Sequence, residues 1–188
     1  MSENENTTMQ GSEPTEEKRR SLASITGQIT HSIDSVLSPG DVAELRRLTP
    51  SDPFSPAFFK LVTSFLESDP GFPSHGKARD EIERRWAVFI QAAAQMKNLH
   101  SMKVGLGYAL ASSGYSELRL VRLLRASDPI LYREVRTAAH YLAAKAQTCN
   151  LVDMAYLLLI QVGEKAESVR RSIARDYYGY KTRSEKEN

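Results

Sequence analysis

The sequence has only one cysteine, Cys149, and no long apolar run. One cysteine cannot form a disulfide within the chain, so a disulfide-stapled fold is excluded and a reducing compartment is indicated. The longest strongly apolar run, residues 156–160, is far shorter than the roughly 20 residues that span a bilayer. The polar N-terminus lacks the apolar core of a signal peptide. We therefore expect a soluble, cytoplasmic protein.

The chain does have the length and the apolar content of one globular domain. It contains 188 residues, of which 41% are hydrophobic and 26% are charged. These values are typical of globular proteins rather than of disordered or fibrous ones. At this length about 70% of the surface of the unfolded chain can be buried. The core therefore needs neither a metal nor a disulfide.

Apolar residues recur at helical spacing along most of the chain, and no alternating strand pattern of useful length is present. We predict an all-α fold, a compact multi-helix bundle of about seven to nine helices. The polar start predicts a disordered tail over residues 1–21. A single all-helical domain is predicted over 22–180, followed by a disordered C-terminal end over 181–188. The predicted helices cover residues 22–37, 41–48, a stretch from 56, 78–97, 105–112, 116–126, 128–145, 150–161 and 164–178.

Several of these helix ends carry recognisable capping signals. Asp41 and Asn150 are predicted N-caps because their side chains accept hydrogen bonds from free backbone amides. Ser55-Pro56 predicts a helix start, since proline at the first helical position loses no hydrogen bond. Pro39-Gly40 and Gly163 are predicted to end the helices before them.

No pattern in the sequence predicts a catalytic, metal or cofactor site. None of the histidines is three or four residues from another, and none is close in sequence to Cys149. The acids at 80, 81 and 83 stand at a predicted helix start, where the helix dipole favours them. Gly105 and Gly107 lack the strand and the third glycine of a phosphate loop. We therefore predict a protein that is not an enzyme and has no cofactor.

Charge is divided unequally between the two halves of the chain. Residues 1–96 hold 10 basic and 14 acidic residues, whereas residues 97–183 hold 14 basic and 7 acidic residues. On the predicted helix 116–126, Arg119, Arg122 and Arg125 step by three and share one side. Leucine and valine residues occupy the other side. Such a face is typical of an anion-binding surface, because arginine binds phosphate through two parallel hydrogen bonds.

A solvated amphipathic helix, with arginine stems covering apolar surface, is the alternative explanation for that pattern. If the helix does bind anions, other basic residues can extend its surface: Arg46, Arg47, Arg84, Arg85, Lys103, Arg133 and Arg136. A second basic segment, residues 170–183, places arginines among tyrosines, as in sites that stack single-stranded bases. For those tyrosines, packing of a terminal helix is the favoured interpretation.

The ordered motifs of the chain resemble one known family, the small subunit of type I-E CRISPR surveillance complexes (Cascade), named CasB. The resemblance covers residues 40–180. It rests on these segments in order: AELRRL (43–48), SPAFFKLV (55–62), Trp86, GLGYALASSGYSELRLVRLLRA (105–126), NLVDMAYLLL (150–159) and VRRSIARDYY (169–178).

This resemblance implies a non-enzymatic, all-helical subunit that is present in two copies within the complex. The implied partners are the backbone and large subunits, the second copy, the guide RNA, and the target and displaced DNA strands. The implied role is antiviral defence through stabilisation of the R-loop. Arg46, Arg47, Arg119 and Arg125 match family positions that contact nucleic acid, and Arg122 joins them from helix geometry.

Two other functions stay open on the sequence alone. Two short helices joined at Gly114, the second rich in arginine, are also typical of a helix-turn-helix regulator that binds double-stranded DNA at a specific sequence. Against this, recognition helices usually offer Asn, Gln or Ser to base edges. The third possibility is a structural adaptor that contacts no nucleic acid.

Overall fold

The computed structural model of the protein describes residues 20–51, 53, 55–69 and 71–187. Within these ranges the chain forms nine α-helices and no strand, which confirms the predicted all-α class. The helices are α1 (Leu22–His31), α2 (Pro39–Leu45), α3 (Pro56–Leu61), α4 (Gly76–Gln95), α5 (Leu106–Ser112), α6 (Glu117–Arg125), α7 (Ile130–Ala144), α8 (Leu151–Leu159) and α9 (Gly163–Glu187). Single π-helical turns, Ser32–Val36 and Val62–Leu66, extend α1 and α3.

The start of α2 differs from the prediction, because Ser38 rather than Asp41 is the N-cap. Ser38 Oγ accepts a hydrogen bond from the Asp41 amide at 3.1 Å, and Asp41 Oδ2 accepts one from the Ser38 amide at 3.2 Å. This reciprocal capping box satisfies two free amides at once. Pro39 therefore opens α2 instead of ending the preceding helix, since its fixed φ suits the first helical position.

The starts of α3 and α8 confirm the helix start predicted at Ser55-Pro56 and the cap predicted at Asn150. Ser55 Oγ accepts from the Phe58 amide at 3.3 Å, and Asn150 Oδ1 accepts from the Val152 amide at 3.1 Å. Gly163 has a different role from the predicted one. It has a φ of +82° and stands at the start of α9, whereas α8 has already ended at Leu159.

Disordered segments were predicted at both ends of the chain. Residues 1–19 of the predicted tail lie outside the described residues. Ser21 caps α1 by accepting from the Ser24 amide at 3.2 Å. At the other end α9 continues to Glu187, nine residues beyond the helix end predicted at residue 178. The polar residues after Tyr180 show no apolar spacing that predicts a helix, and they include no proline or capping signal that would end one.

Nearly all of the buried apolar side chains form one contiguous cluster, with helix α4 at its centre. Residues 86–94 of α4 are buried without exception, because α7, α8 and α2 pack on different sides of this helix. Trp86 and Phe89 make an edge-to-face contact within the cluster, with ring centroids 5.6 Å apart. None of the helices described is both long enough and apolar enough to cross a membrane.

Candidate nucleic-acid interface

The α6 arginines, defined as Arg119, Arg122 and Arg125, all have exposed side chains. Leu120 and Leu123 on the opposite side of α6 are fully buried, and this burial fixes the face that α6 turns outward. Gly114, with a φ of +85°, makes the turn that separates α5 from α6. That left-handed conformation favours glycine over residues with a Cβ. The structure therefore places the three arginines on the solvent side, as their spacing predicts.

Arg119 lies against two aromatic rings. Its guanidinium carbon is 5.9 Å from the centroid of the Tyr115 ring and 6.0 Å from that of Tyr141. The two rings pack edge to face at 5.1 Å. Cation–π contacts of this kind orient a guanidinium without neutralising its charge. Arg119 is therefore held in place while its N–H groups stay available to an anion.

Arg122 forms an ion pair that sequence reasoning missed. Its guanidinium donates to Glu134 Oε1 at 2.9 Å, and Arg133 donates to the same oxygen at 3.1 Å. Glu134 is buried on α7, with 3% of its surface exposed. The acid close in sequence, Glu117, accepts a hydrogen bond from the Tyr178 hydroxyl instead. No local signal points to Glu134, because only the packing of α6 against α7 brings it to Arg122.

Arg125 and Arg47 have exposed side chains, and neither side chain forms a hydrogen bond or ion pair with the described part of the chain. Arg46 has a more constrained position. Its Nε donates to the Ala94 carbonyl at 2.9 Å, and the Gln91 amide donates to the Arg46 carbonyl at 3.0 Å. Arg46 is thus tied to α4 through both its side chain and its backbone.

Arg46 also lines a groove of about 450 Å³, which we call the α4–α7 groove. The residues that line it are Arg46, Gln91, Ala92, Gln95, Arg133, Arg136, Thr137, Ala139 and His140. No carboxylate is among them, so the lining carries a positive charge. The groove brings Arg46, which directly follows α2, to the same place as Arg133, which shares Glu134 with Arg122.

The fold brings a histidine next to Cys149, although no histidine is near it in sequence. The backbones of His100 and Cys149 pair, and His100 Nδ1 accepts a hydrogen bond from the Leu151 amide at 3.2 Å. Burial, with a smaller contribution from Asp153, raises the pKa of the Cys149 thiol to about 12. Because the thiolate is the nucleophile, a thiol that stays protonated is inert.

The other candidate clusters are explained by structure. In the described residues no group of three or more metal-ligating side chains comes together. Glu83 pairs with Arg79 at 2.7 Å and Glu81 pairs with Arg85, so these acids support α4. A Cβ on Gly107 would lie 2.0 Å from the Ile173 carbonyl oxygen. The close approach of α9 therefore requires a residue without a side chain at position 107. This packing explains the glycine without a phosphate loop.

The tyrosines of the C-terminal segment make contacts with α5, α6 and the turn between them. Tyr177 is buried, and its hydroxyl donates to the Tyr115 carbonyl at 2.5 Å. Tyr180 contacts Tyr108 edge to face, with the centroids 5.2 Å apart. The hydrogen bond to Glu117 raises the pKa of the more exposed Tyr178. These contacts agree with the packing interpretation for this segment.

Comparisons with known proteins agree with the fold and identify the family. The CRISPR-associated protein Cse2 family model matches residues 41–178. No curated protein sequence matches the chain directly. One similar solved structure is a chain of the E. coli Cascade crystal structure bound to a PAM-containing double-stranded DNA target. Its TM-score is 0.61 at 20% identity, over 81% of this chain and 96% of that chain.

Two further solved structures have the same fold. CasB from Thermobifida fusca has a TM-score of 0.65 at 18% identity, over 84% of this chain and 97% of that chain. CasB from Thermus thermophilus has a TM-score of 0.64 at 20% identity, also over 84% and 97%. The match over residues 41–178 shows that the chain belongs to the Cse2 family, also named CasB, of type I-E CRISPR complexes, which confirms the resemblance drawn from its motifs.

Proposed function

We propose that this protein is the non-catalytic small subunit of a type I-E Cascade, in which it stabilises the R-loop by sequence-independent contacts with the target and displaced DNA strands. The contacts come from Arg46, Arg47 and the α6 arginines. The observation that carries the proposal is the exposed face of α6. There Arg119 and Arg125 have no acidic partner among the described residues, and Arg119 is oriented by two rings.

Modest backbone contacts are enough for such a role. The RNA–DNA heteroduplex of an R-loop is about as stable as the DNA duplex that it replaces, so protein contacts can decide the balance. Sequence is read by the guide, and the subunit needs only to hold phosphates. Arginine suits this task because it stays charged and donates two parallel hydrogen bonds.

Family membership supports the rest of the assignment. The partners we propose are the backbone and large subunits of Cascade, a second copy of this chain, the guide RNA and both DNA strands, in the cytoplasm. The related E. coli chain is part of a complex bound to double-stranded DNA. No catalytic role and no cofactor is proposed, and the inert Cys149 thiol agrees with this.

The decisive experiment measures R-loop lifetime on supercoiled DNA with the remaining guide-RNA complex, in the presence and absence of this protein. We expect the protein to join the complex and to prolong the R-loop. The triple change of Arg119, Arg122 and Arg125 to alanine should shorten that lifetime while assembly persists. The matched control removes three exposed positive charges elsewhere, at Lys77, Lys145 and Lys186, and should change it little.

Salt dependence gives a second measurement on the same five arginines. If each neutralises one phosphate of single-stranded DNA, log K should fall with log salt concentration at a slope of about −3.5. An affinity that does not change with salt would contradict the proposal. A protein that assembles but keeps full R-loop lifetime after the triple change would be a structural adaptor.

The helix-turn-helix alternative draws on the α5–α6 pair, which meets at Gly114 with α6 exposed. Competition binding separates the two functions. A regulator prefers one duplex sequence, whereas a subunit that binds phosphates is indifferent to sequence. We expect equal competition by unrelated duplexes.

A further inference from the structure

The first 17 residues of the chain differ in charge from all the rest. Residues 1–17, which we call the acidic segment, hold five of the 23 acidic residues and none of the 25 basic residues. Residues 18–188 therefore hold 25 basic residues against 18 acidic ones. With histidine neutral, a segment whose side chains carry −5 is thus joined covalently to a body that carries +7. Opposite charges on one chain attract each other wherever the chain can bring them together.

The α4–α7 groove is a concave part of that basic body, and no carboxylate lines it. Arg136 in the lining has an exposed side chain and no ion pair among the described residues. Arg46 uses its Nε for the Ala94 carbonyl at 2.9 Å, and its terminal nitrogens have no acceptor in the described part of the chain. Like charges in a concave site repel each other unless an anion enters. The lining therefore favours an anionic occupant.

The lining of the groove also includes a residue with a buried atom that needs a hydrogen-bond donor. Gln91 is only 8% exposed, and its Oε1 accepts no hydrogen bond from the described residues. Buried acceptors are normally satisfied, so this one calls for an explanation. An acidic peptide brings both kinds of partner, because its backbone N–H groups donate and its glutamates accept. Such a peptide therefore fits the groove in charge and in hydrogen bonding.

The acidic segment is long enough to arrive at the groove from the point where it joins the fold. Arg20 donates to Ser68 at 2.5 Å and Ser21 caps α1, so the described chain is tied to the fold from its first residues. An extended segment of 17 residues spans about 56 Å, whereas a compact chain of this length is roughly 40 Å across. Tethering also gives the segment a local concentration in the millimolar range, at which individually weak ion pairs become effective.

We propose that the acidic segment is an internal ligand that occupies the α4–α7 groove in the free protein, and that it competes there with nucleic acid. This inference rests on the proposed function, which it extends from binding to regulation. Competition by a tethered anion keeps the free subunit from binding unrelated nucleic acid. Within an assembled complex the strand is itself held close to this surface, so the strand displaces the segment more easily.

The first test follows the segment in the full chain and needs no nucleic acid. A nitroxide spin label is attached to the variant Ser12→Cys, while Cys149 is buried and does not take up the label. We expect the label to broaden the amide NMR signal of Thr137, which lines the groove. The signal of Lys77, about 20 Å from Gln91 along α4, should broaden much less.

Two triple variants show whether the acids of the segment cause this contact. The segment triple neutralises three acids outside the described residues: Glu13→Gln, Glu16→Gln and Glu17→Gln. The control triple neutralises three exposed acids on α4 and α9: Asp80→Asn, Glu164→Gln and Glu185→Gln. The segment triple should remove the selective broadening of Thr137, and the control triple should retain it. Salt at about 0.5 M, where the Debye length is roughly 4 Å, should also remove it.

The second test measures competition, through the anisotropy of a fluorescent single-stranded thymidine oligonucleotide at low salt. The segment triple should bind about fivefold more tightly than the wild type, the effect of three exposed ion pairs of ordinary strength, whereas the control triple should change affinity less than about twofold. In an Arg136→Ala background the segment triple should gain less than it does in the wild type, because the segment has already lost part of its site.

The outcomes separate this inference from the proposed function. Equal broadening of Thr137 and Lys77, unchanged in the segment triple, would overturn occupation of the groove. Selective broadening together with equal oligonucleotide affinities of the wild type and the segment triple would overturn the competition. A chain that shows selective broadening but binds no oligonucleotide, with or without the segment's acids, would contradict the proposed function and leave the internal ligand of the groove in place.

Discussion

Arg122 and Glu134 lie on different helices and meet at 2.9 Å, twelve residues apart in the chain. Glu134 is 3% exposed, so its carboxylate depends on this contact and on Arg133 for its stability. Burying a charge without partners is costly. Because two arginines donate to the same Glu134 oxygen, losing one of them still leaves the carboxylate paired. The pairing also means that Arg122 has a structural role besides its proposed contact with DNA.

Arg122 and Arg133 should therefore behave non-additively in urea unfolding. Each single change to alanine leaves Glu134 one partner, and we expect a loss of under about 1 kcal/mol because both arginines are more than half exposed. The double change leaves a buried carboxylate unpaired and should cost about 3 kcal/mol. Strictly additive losses would show that Glu134 finds another partner or water.

Gly107 and Gly105 should respond very differently to alanine, although they are two residues apart. A Cβ at Gly107 would lie 2.0 Å from the backbone oxygen of Ile173, so α9 would have to move away from α5. We expect Gly107→Ala to destabilise the protein by about 3 kcal/mol, at the upper end for overpacked cores. At Gly105 the nearest atom, 2.9 Å away, is the carboxylate end of Asp176. That side chain can rotate, and Gly105→Ala should cost under about 1 kcal/mol. Thermal unfolding of the two variants measures the difference.

Cys149 should not react with thiol reagents in the folded protein. Its side chain is completely buried, and burial raises its pKa to about 12. The thiolate needed for alkylation is therefore nearly absent at pH 8. We expect iodoacetamide to modify Cys149 only after denaturant unfolds the chain, as measured by mass spectrometry. Rapid labelling of the native protein would show that the junction of α7 and α8 opens.

Asp153 should lower the stability of the protein at neutral pH. Burial, and to a smaller extent Asp176, raises the pKa of its carboxyl above the usual 3.8, even though it accepts from the Leu106 amide at 2.9 Å. Folding therefore favours the protonated form. The stability that the protonated Asp153 carboxyl contributes is complete below the pKa of the unfolded state, and it is lost as the pH rises through the pKa of the folded state.

Asp153→Asn keeps the acceptor for Leu106 and removes the charge. We expect a higher Tm than that of the wild type at pH 7 and a difference that disappears as the pH falls towards the unfolded value. The matching substitution Glu185→Gln, at an exposed position, should shift Tm little both at pH 7 and at low pH. A lower Tm for Asp153→Asn at pH 7 would contradict the expected sign.

Much of this protein could be predicted from its sequence because the signals are local. Helical spacing of apolar residues predicted the all-α class. Ser55-Pro56 predicted the start of α3, and the Asn150 side chain predicted the cap of α8. The three-residue steps of the α6 arginines predicted their common exposed face. The ordered motifs predicted the family that the match over residues 41–178 shows.

Tertiary packing decided the rest. It brought Glu134 to Arg122, tied Arg46 to Ala94 across 48 positions of sequence, and assembled the α4–α7 groove from two helices and Arg46. These contacts depend on which helices touch and at what angle, and this information is distributed over the whole core rather than written in any one segment. Periodicity determined which side of each helix faces outward, whereas the packing of α2, α4, α6 and α7 determined which outward residues became neighbours.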